Sequence, residues 1–154
     1  MLKLRNKSFK IITENLKEKA RPIDRERFNN HFNNAEPEKL IEKIKKYQNE
    51  DGGFGQALEP DFRLPLSTPM ATSIALSYLK NLDNHSSARE LIKKAISYLE
   101  NSFNQNRNGW YAVSREVNDD PHTPWWHYDE DVKMTVIDKN WGNPSAELLA
   151  YLYR

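Results

Sequence analysis

The chain contains no cysteine, and this absence excludes several kinds of chemistry. A protein of 154 residues without cysteine has no disulfide, no thiolate nucleophile and no cysteine-ligated zinc site. A charge of one predominant sign is also lacking, because 23 Lys and Arg residues nearly balance 22 Asp and Glu residues and leave a net charge of +1. Such a chain offers no strong field for nucleic acid, so we expect no nucleic-acid partner.

Long hydrophobic runs are missing as well. Charged residues interrupt the N-terminal stretch MLKLRNKSFKIITENLKEK throughout, so it matches neither a signal peptide nor a membrane span. We therefore expect a cytoplasmic protein without a membrane-spanning segment. The length suits one domain, and 38% of the residues are hydrophobic, which is enough to build a core.

The sequence does contain a succession of helix patterns. Two N-terminal helices are predicted over residues 7–33, separated where Arg21 precedes Pro22. Four more helix starts, each marked by a cap residue or a proline, are predicted at Pro37, at Thr68 with Pro69, at the capping box that opens with Ser87, and at Asn143 with Pro144. Two long loops join these helices, and KMTVI in the second loop predicts a short strand. The pattern indicates an all-α fold with long loops.

Two stretches share a pattern and predict an internal repeat with units at about residues 37–82 and 87–154. The shared residues are Gln48, Gly52, Gly53 and Phe54 in QNEDGGF, and Gln105, Gly109 and Trp110 in QNRNGW. We expect glycine to allow the left-handed turn that ends a helix, and the aromatic residue to fold back as a plug. The glutamine amide can bond backbone groups at helix ends. Neither glycine stretch has the spacing of a phosphate-binding loop.

These motifs resemble the Gln…Gly-aromatic signature of the prenyltransferase/squalene-cyclase (terpenoid cyclase) repeat family. YQNEDGGFGQALEPDFR, PHTPWWHY and NPSAELLAYL, in this order, are more similar to an uncharacterised bacterial branch of that family. The resemblance implies an α/α toroid, in which helical hairpins form two rings around a central cavity. It does not carry over the known chemistries, because YDEDV is not the Asp-x-Asp-Asp acid of the cyclases and the cysteine of the zinc-dependent prenyltransferases is absent.

A closed toroid of this family needs about twice as many hairpins as this chain supplies. The last helix is still periodic in apolar residues at the C-terminus. Three interpretations follow from this pattern. The chain is an N-terminal part of a longer toroid, or a partner such as a second copy of the chain covers the helix, or the helix simply packs at the C-terminus.

Two loop segments carry the candidate ligand residues. In ALEPDFRLP, Glu59, Asp61 and Arg63 are spaced to lie on one side of an extended loop, where they would bind a polar ligand or perform acid–base work. The alternative is that the carboxylates cap helices and pair with Arg63. The second segment, PHTPWWHY, contributes candidate ligand contacts at His122, Trp125, Trp126 and His127. Its alternative is a loop that packs its tryptophans over helix ends.

Asp61 and His127 are the candidate catalytic residues. Asp129, Glu130 and Asp131 follow the second segment, but their spacing matches no known ligand frame, so we expect no metal and no other cofactor. Two functional hypotheses remain. Either the toroid binds a glycan-like or isoprenoid-like small molecule or oligosaccharide in an aromatic and acidic cavity, or the chain is a non-catalytic helical-repeat module for protein interaction or assembly.

Overall fold

The computed structural model describes residues 5–153 and is largely helical. Helices account for 56% of the described residues, and the only sheet among them has two short strands. The prediction of a largely helical fold is therefore confirmed. The chain forms two compact units, which divide between Lys43 and Ile44.

The first unit contains helices α1 (Asn6–Lys19) and α2 (Pro22–Phe32) and most of α3 (Pro37–Lys45). The predicted break is confirmed, because Arg21 has extended backbone angles before Pro22 opens α2. Phe9 of α1 lies against Phe28 and Phe32 of α2, with ring centroids 6.2 and 5.8 Å apart. An aromatic cluster therefore joins the first two helices.

The second unit contains three α-helices, two strands and three short 3-10 helices. The α-helices are α4 (Pro69–Leu79), α5 (Ser86–Ser102) and α6 (Gly142–Leu152), the strands are β1 (Tyr128–Asp129) and β2 (Met134–Thr135), and the 3-10 helices are Arg115–Asp119, Pro124–Trp126 and Ile137–Lys139. The two strands are antiparallel. The strand predicted at KMTVI thus exists, but only two of its residues pair.

Helix α4 is the centre of this unit, because it packs against both α5 and α6. Seven of its eleven residues are buried and the other four are half-buried, so none of them is exposed, as expected of a core helix. The predicted N-cap is confirmed, since the Thr68 hydroxyl accepts from the Ala71 N–H at 3.0 Å. In α6, Asn143 has extended backbone angles, so the regular helix begins at the predicted Pro144.

The predicted start of α5 is wrong by two residues, because the N-cap is His85 and not Ser87. The helix begins at Ser86 and has no side-chain hydrogen bond at its N-cap, so Ser87 lies inside the first turn instead of capping it. The Arg89 guanidinium donates to the carbonyls of Asp83 and Asn84, at 3.2 and 3.1 Å. These bonds fix the segment before the helix without a capping box.

Residues 48–54 form the first glycine turn and residues 105–110 form the second. The two turns need glycine for two different reasons. Left-handed backbone occurs at Gly52 (φ 89°) in the first turn and at Asn108 (φ 51°) in the second. The glycines that follow, Gly53 and Gly109, have no positive φ and are instead required by close contact. A Cβ on Gly53 would lie 2.6 Å from the Ser67 Cβ, and one on Gly109 would lie 2.6 Å from the Ser145 Oγ.

The aromatic residues after these glycines are both buried against the core. Phe54 is 0% exposed and Trp110 is 2% exposed. The Phe54 N–H donates to the Thr72 hydroxyl of α4 and the Trp110 N–H donates to the Ser145 hydroxyl of α6, each at 3.0 Å. Each turn is therefore bonded to a hydroxyl in the first turns of the proline-led helix that follows it.

The two glutamines lie in different surroundings. The Gln48 amide donates to the carbonyls of Gly52 and Leu91, at 2.9 and 3.0 Å, and so connects the first turn to α5. Gln105 is exposed. In the second turn it is the Trp110 indole N–H that reaches α5, where it donates to the Leu99 carbonyl at 2.8 Å.

Candidate functional site

The two loops that carry the candidate ligand residues are joined by a short backbone ladder. The Arg63 N–H donates to the Pro121 carbonyl at 2.8 Å, and the Thr123 N–H donates to the Asp61 carbonyl at 2.9 Å. Phe62 and His122 lie opposite each other between these bonds as an antiparallel bridge. The tertiary structure thus brings together two segments that are about 60 residues apart in the sequence.

The side chains of these loops nevertheless separate onto two faces of the ladder. Successive residues of an extended segment point to opposite faces, whereas paired residues share one. Phe62 is buried and shares a face with His122, so the exposed Asp61 and Arg63 project from the other face. Glu59 is half-buried, and its carboxylate accepts from the Asp61 N–H at 3.2 Å. The acidic loop and the histidines therefore do not converge on one point at this ladder.

His122 and His127 form a stacked pair near the surface, with ring centroids 5.4 Å apart. The Nδ1 atom of His122 lies 2.7 Å from the Asp120 carbonyl oxygen, which can only accept, so this nitrogen carries a hydrogen. The Nε2 atom of His122 lies 3.2 Å from Nδ1 of His127. These two nitrogens share one hydrogen bond, and the His127 ring is exposed, so it is accessible to a ligand.

The neighbouring tryptophans have different environments. Trp126 is 4% exposed and packs edge-on against Phe62, with ring centroids 5.3 Å apart. Its indole N–H has no hydrogen-bond partner among the described residues. Trp125 is 44% exposed. Of the pair, Trp126 is a core residue and Trp125 is the one available to a ligand.

The acidic run after these tryptophans shapes a turn. The Asp129 carboxylate accepts from the N–H groups of Asp131 and Val132, at 2.9 and 3.3 Å. These backbone hydrogen bonds lower the pKa of Asp129 below its ordinary value. Within residues 5–153, His, Asp and Glu form no group of three or more that is placed to hold a metal ion.

A cleft of about 330 Å³ lies elsewhere in the second unit and is here called the tyrosine cleft. Three tyrosines and two cationic residues are among its lining residues, namely Tyr98, Tyr111, Tyr128, Arg115 and Lys133. The rest of the lining is partly polar and partly apolar, with Ser67, Ser102, Asn104 and Ser114 beside Pro69 and Val113. The volume is within the range of small-molecule sites in proteins, roughly 300–1,000 Å³.

Hydrogen bonds to the backbone hold one wall of the tyrosine cleft in place. The Asn118 side chain donates to the Tyr128 carbonyl and accepts from the Tyr128 N–H, both at 2.9 Å. The buried Asp138 carboxylate accepts from the Ala112 N–H at 2.7 Å and from the Thr135 hydroxyl at 2.7 Å. Asp138 thus connects the segment after Trp110 to strand β2.

Helix α5 contributes Tyr98 and Ser102 to the lining of the cleft. A Cβ on Gly53 would lie 2.7 Å from the Tyr98 ring, so this ring rests directly on the glycine backbone. Burial raises the pKa of the Tyr98 hydroxyl well above its ordinary value, and the charge of Asp51 raises it further. Tyr98 therefore keeps its proton to a higher pH than an exposed tyrosine would.

The sequence-selected ligand residues do not line the tyrosine cleft. The residues that line the cleft come from separate segments, among them α5, the loop after Trp110 and β1 with its turn. No local pattern in the sequence therefore marks them as a group. Tyr98 has the spacing of an ordinary helix residue, and Arg115 and Lys133 are isolated charges in a loop. The one available signal is the concentration of aromatic residues beyond the middle of the chain.

Comparison of the chain with family models, with curated proteins and with solved structures found no match. Across residues 5–153, none of the helices combines the length and the apolar character that crossing a lipid bilayer requires. The likeness to the terpenoid cyclase repeat therefore stays a prediction from the sequence motifs.

Proposed function

We propose that the second unit binds a carbohydrate ligand in the tyrosine cleft. The observation that carries the proposal is the lining itself, in which three tyrosines stand beside serine hydroxyls and two cations. Aromatic faces stack on sugar rings, and hydroxyl groups exchange hydrogen bonds with sugar hydroxyls. An isoprenoid would leave this many polar groups without partners, which disfavours that class of ligand.

The proposal includes the architecture implied by the sequence resemblance, a segment of an α/α toroid. Two features support it. A central helix, α4, packs against α5 and α6, and α4 and α6 each follow a glycine turn with a buried aromatic residue. In a toroid built from such hairpins, loops at the helix ends border the cavity, and the tyrosine cleft is formed by residues at helix ends and in loops.

Calorimetric titration tests the proposal, with chito-oligosaccharide, cello-oligosaccharide and oligogalacturonate as carbohydrate probes and farnesol as the isoprenoid probe. We expect at least one carbohydrate to bind and Tyr128→Ala to weaken this binding about tenfold or more, as expected for the loss of a stacking ring. The Asn118 bonds go to the Tyr128 backbone, so the variant keeps that anchor. Tyr153→Ala is the matched control, because Tyr153 lies outside the cleft and is 96% exposed.

Three outcomes contradict the proposal. Binding of farnesol alone would replace carbohydrate by isoprenoid as the ligand class. Loss of carbohydrate binding in Trp125→Ala but not in Tyr128→Ala would move the site to the His122–Trp125 loop. Binding of no probe at all would favour the alternative, a helical-repeat module that recognises another protein.

A further inference from the structure

The ionisable groups around the tyrosine cleft are segregated by sign. Among the described residues that line it, Arg115 and Lys133 are cationic and none is acidic. The chain as a whole is nearly neutral, with a net charge of +1, so this local excess is not a consequence of composition. A second cleft shares Ser67 and Ser114 with the first, and its ionisable lining is acidic instead.

The acidic side of this arrangement is already engaged with the protein. The Asp51 carboxylate accepts from the Ser67 hydroxyl at 2.7 Å and from the Gly53 N–H at 3.0 Å. Asp51 thus holds the first glycine turn against the start of α4. Its role as a hydrogen-bond acceptor in the fold explains an acidic group at this rim without a cationic ligand.

Of the two cationic residues, Lys133 is held loosely. Lys133 lies at the end of the β1–β2 turn with a left-handed φ of 59°, and its ammonium lies 3.3 Å from the Glu130 carboxylate. The two side chains are 69% and 55% exposed, and an ion pair of this exposure contributes little. An anionic ligand can therefore replace Glu130 as the partner of Lys133 at small cost.

Arg115 supplies the directional contact. It is the first residue of the 3-10 helix Arg115–Asp119 and is exposed at the cleft. Its planar guanidinium presents paired N–H groups that match two oxygens of a carboxylate or a sulfate. Lysine adds a mobile point charge, and the tyrosines add ring faces for the sugar itself.

We propose that the carbohydrate bound by the tyrosine cleft is acidic, and that Arg115 and Lys133 contact its carboxylate or sulfate group. The inference rests on the proposed function, because it names the class of sugar that the same cleft takes. The tyrosines provide the affinity for the sugar ring, and the two cations provide the selectivity for charge.

Two matched pairs of probes test the inference. The first pair is oligogalacturonate and the same oligomer after reduction of its carboxylates to alcohols. The second pair is dextran sulfate and dextran. We expect the wild-type protein to bind at least one acidic probe about tenfold more tightly than its neutral counterpart, and added salt to reduce this preference.

The variant Arg115→Gln/Lys133→Gln identifies the groups responsible. We expect it to lose the preference for the acidic probe while it keeps the affinity for the neutral probe. Lys93→Gln is the matched control, because it also removes an exposed positive charge but lies outside the tyrosine cleft. Comparison of the two probe pairs shows whether the recognised group is a carboxylate or a sulfate.

The inference and the proposed function fail in different ways. Equal binding of acidic and neutral probes, reduced by Tyr128→Ala, would overturn the inference and leave carbohydrate binding intact. An acidic preference unchanged in Arg115→Gln/Lys133→Gln would also overturn it. Absence of binding to all four probes and to the neutral oligosaccharides would overturn both.

Discussion

Two adjacent residues of α4, Thr72 and Ser73, are both fully buried but differ in their hydrogen bonds. The Thr72 hydroxyl accepts from the Phe54 N–H at 3.0 Å, whereas the Ser73 hydroxyl has no partner among the described residues. A buried donor that loses its acceptor costs free energy, but removing a polar atom that already lacks a partner does not. Substitution of the two residues therefore compares a buried hydroxyl that has a hydrogen-bond partner with one that has none.

We predict that Thr72→Val lowers the free energy of unfolding by about 1–3 kcal/mol, because the Phe54 N–H is left buried without an acceptor. Ser73→Ala is the control and should change it by less than about 0.5 kcal/mol, or raise it. Urea unfolding followed by circular dichroism gives both values. Equal losses in the two variants would show that the Phe54 bond does not stabilise the fold.

At the scale of elements, the first glycine turn fixes how closely the loop before α4 approaches α5. Gly53 touches Ser67 on one side and the Tyr98 ring on the other, and both residues line the tyrosine cleft. The turn therefore positions two lining residues of the candidate site. Gly53 is required because there is no space for a side chain, whereas Gly52 is required because its backbone is left-handed.

We predict that Gly53→Ala destabilises the protein by about 1–3 kcal/mol, since the new methyl group would force Ser67 and Tyr98 apart. The same variant should weaken carbohydrate binding, because both displaced residues line the cleft. Gly142→Ala is the matched control. Its Cβ would meet only the Asn140 Oδ1 at 3.4 Å, so it should leave both properties unchanged or stabilise α6 slightly. A tolerated Gly53→Ala would mean that α5 and the turn can separate freely.

At the scale of the whole molecule, we expect the ionisation of two tyrosine hydroxyls to lower the stability of the fold at alkaline pH. Burial is the main cause that raises the pKa values of Tyr98 and Tyr151 above the ordinary value of 10.0. In the unfolded chain both groups ionise near pH 10, while in the folded protein they retain their protons. The stabilisation is therefore complete below pH 10 and is lost as the pH rises through the higher folded values.

We predict that the melting temperature falls steadily above pH 10, and that Tyr98→Phe reduces the slope of this decrease. Thermal unfolding across a pH series measures the effect, and the ultraviolet absorbance of tyrosinate measures the ionisation itself. Tyr47→Phe is the control for the loss of one tyrosine. If the wild-type protein and Tyr98→Phe have the same slope, Tyr98 does not contribute to the alkaline transition.

Two predictions from the sequence concern the cellular location of the protein and its oligomeric state. A cytoplasmic location and a partner or second copy that covers the last helix both stay predictions. Leu148 of α6 is buried, while Leu149 is 46% exposed and Tyr153 is 96% exposed. Light scattering of the purified chain measures the oligomeric state directly.

The sequence by itself determined the helices that begin with a local signal. Arg21 before Pro22, and Thr68 before Pro69, constrain their own backbone and bond their own neighbours, so short-range chemistry is enough to place these starts. The aromatic residues after the glycines were recognisable from the repeated pattern, although their bonds to α4 and α6 are long-range. At α5 the local signal failed, because Arg89 fixes the preceding segment and the helix starts without its capping box.

Only the tertiary structure decided where the candidate site lies. The alternation in ALEPDFRLP predicts which of its residues share a side, but the pairing of Phe62 with His122 sets that side apart from the histidines. The tyrosine cleft depends on contacts among α5, a loop and β1, and no local pattern records them. Short-range rules specify elements, whereas a binding site arises from long-range packing, which a single sequence does not display.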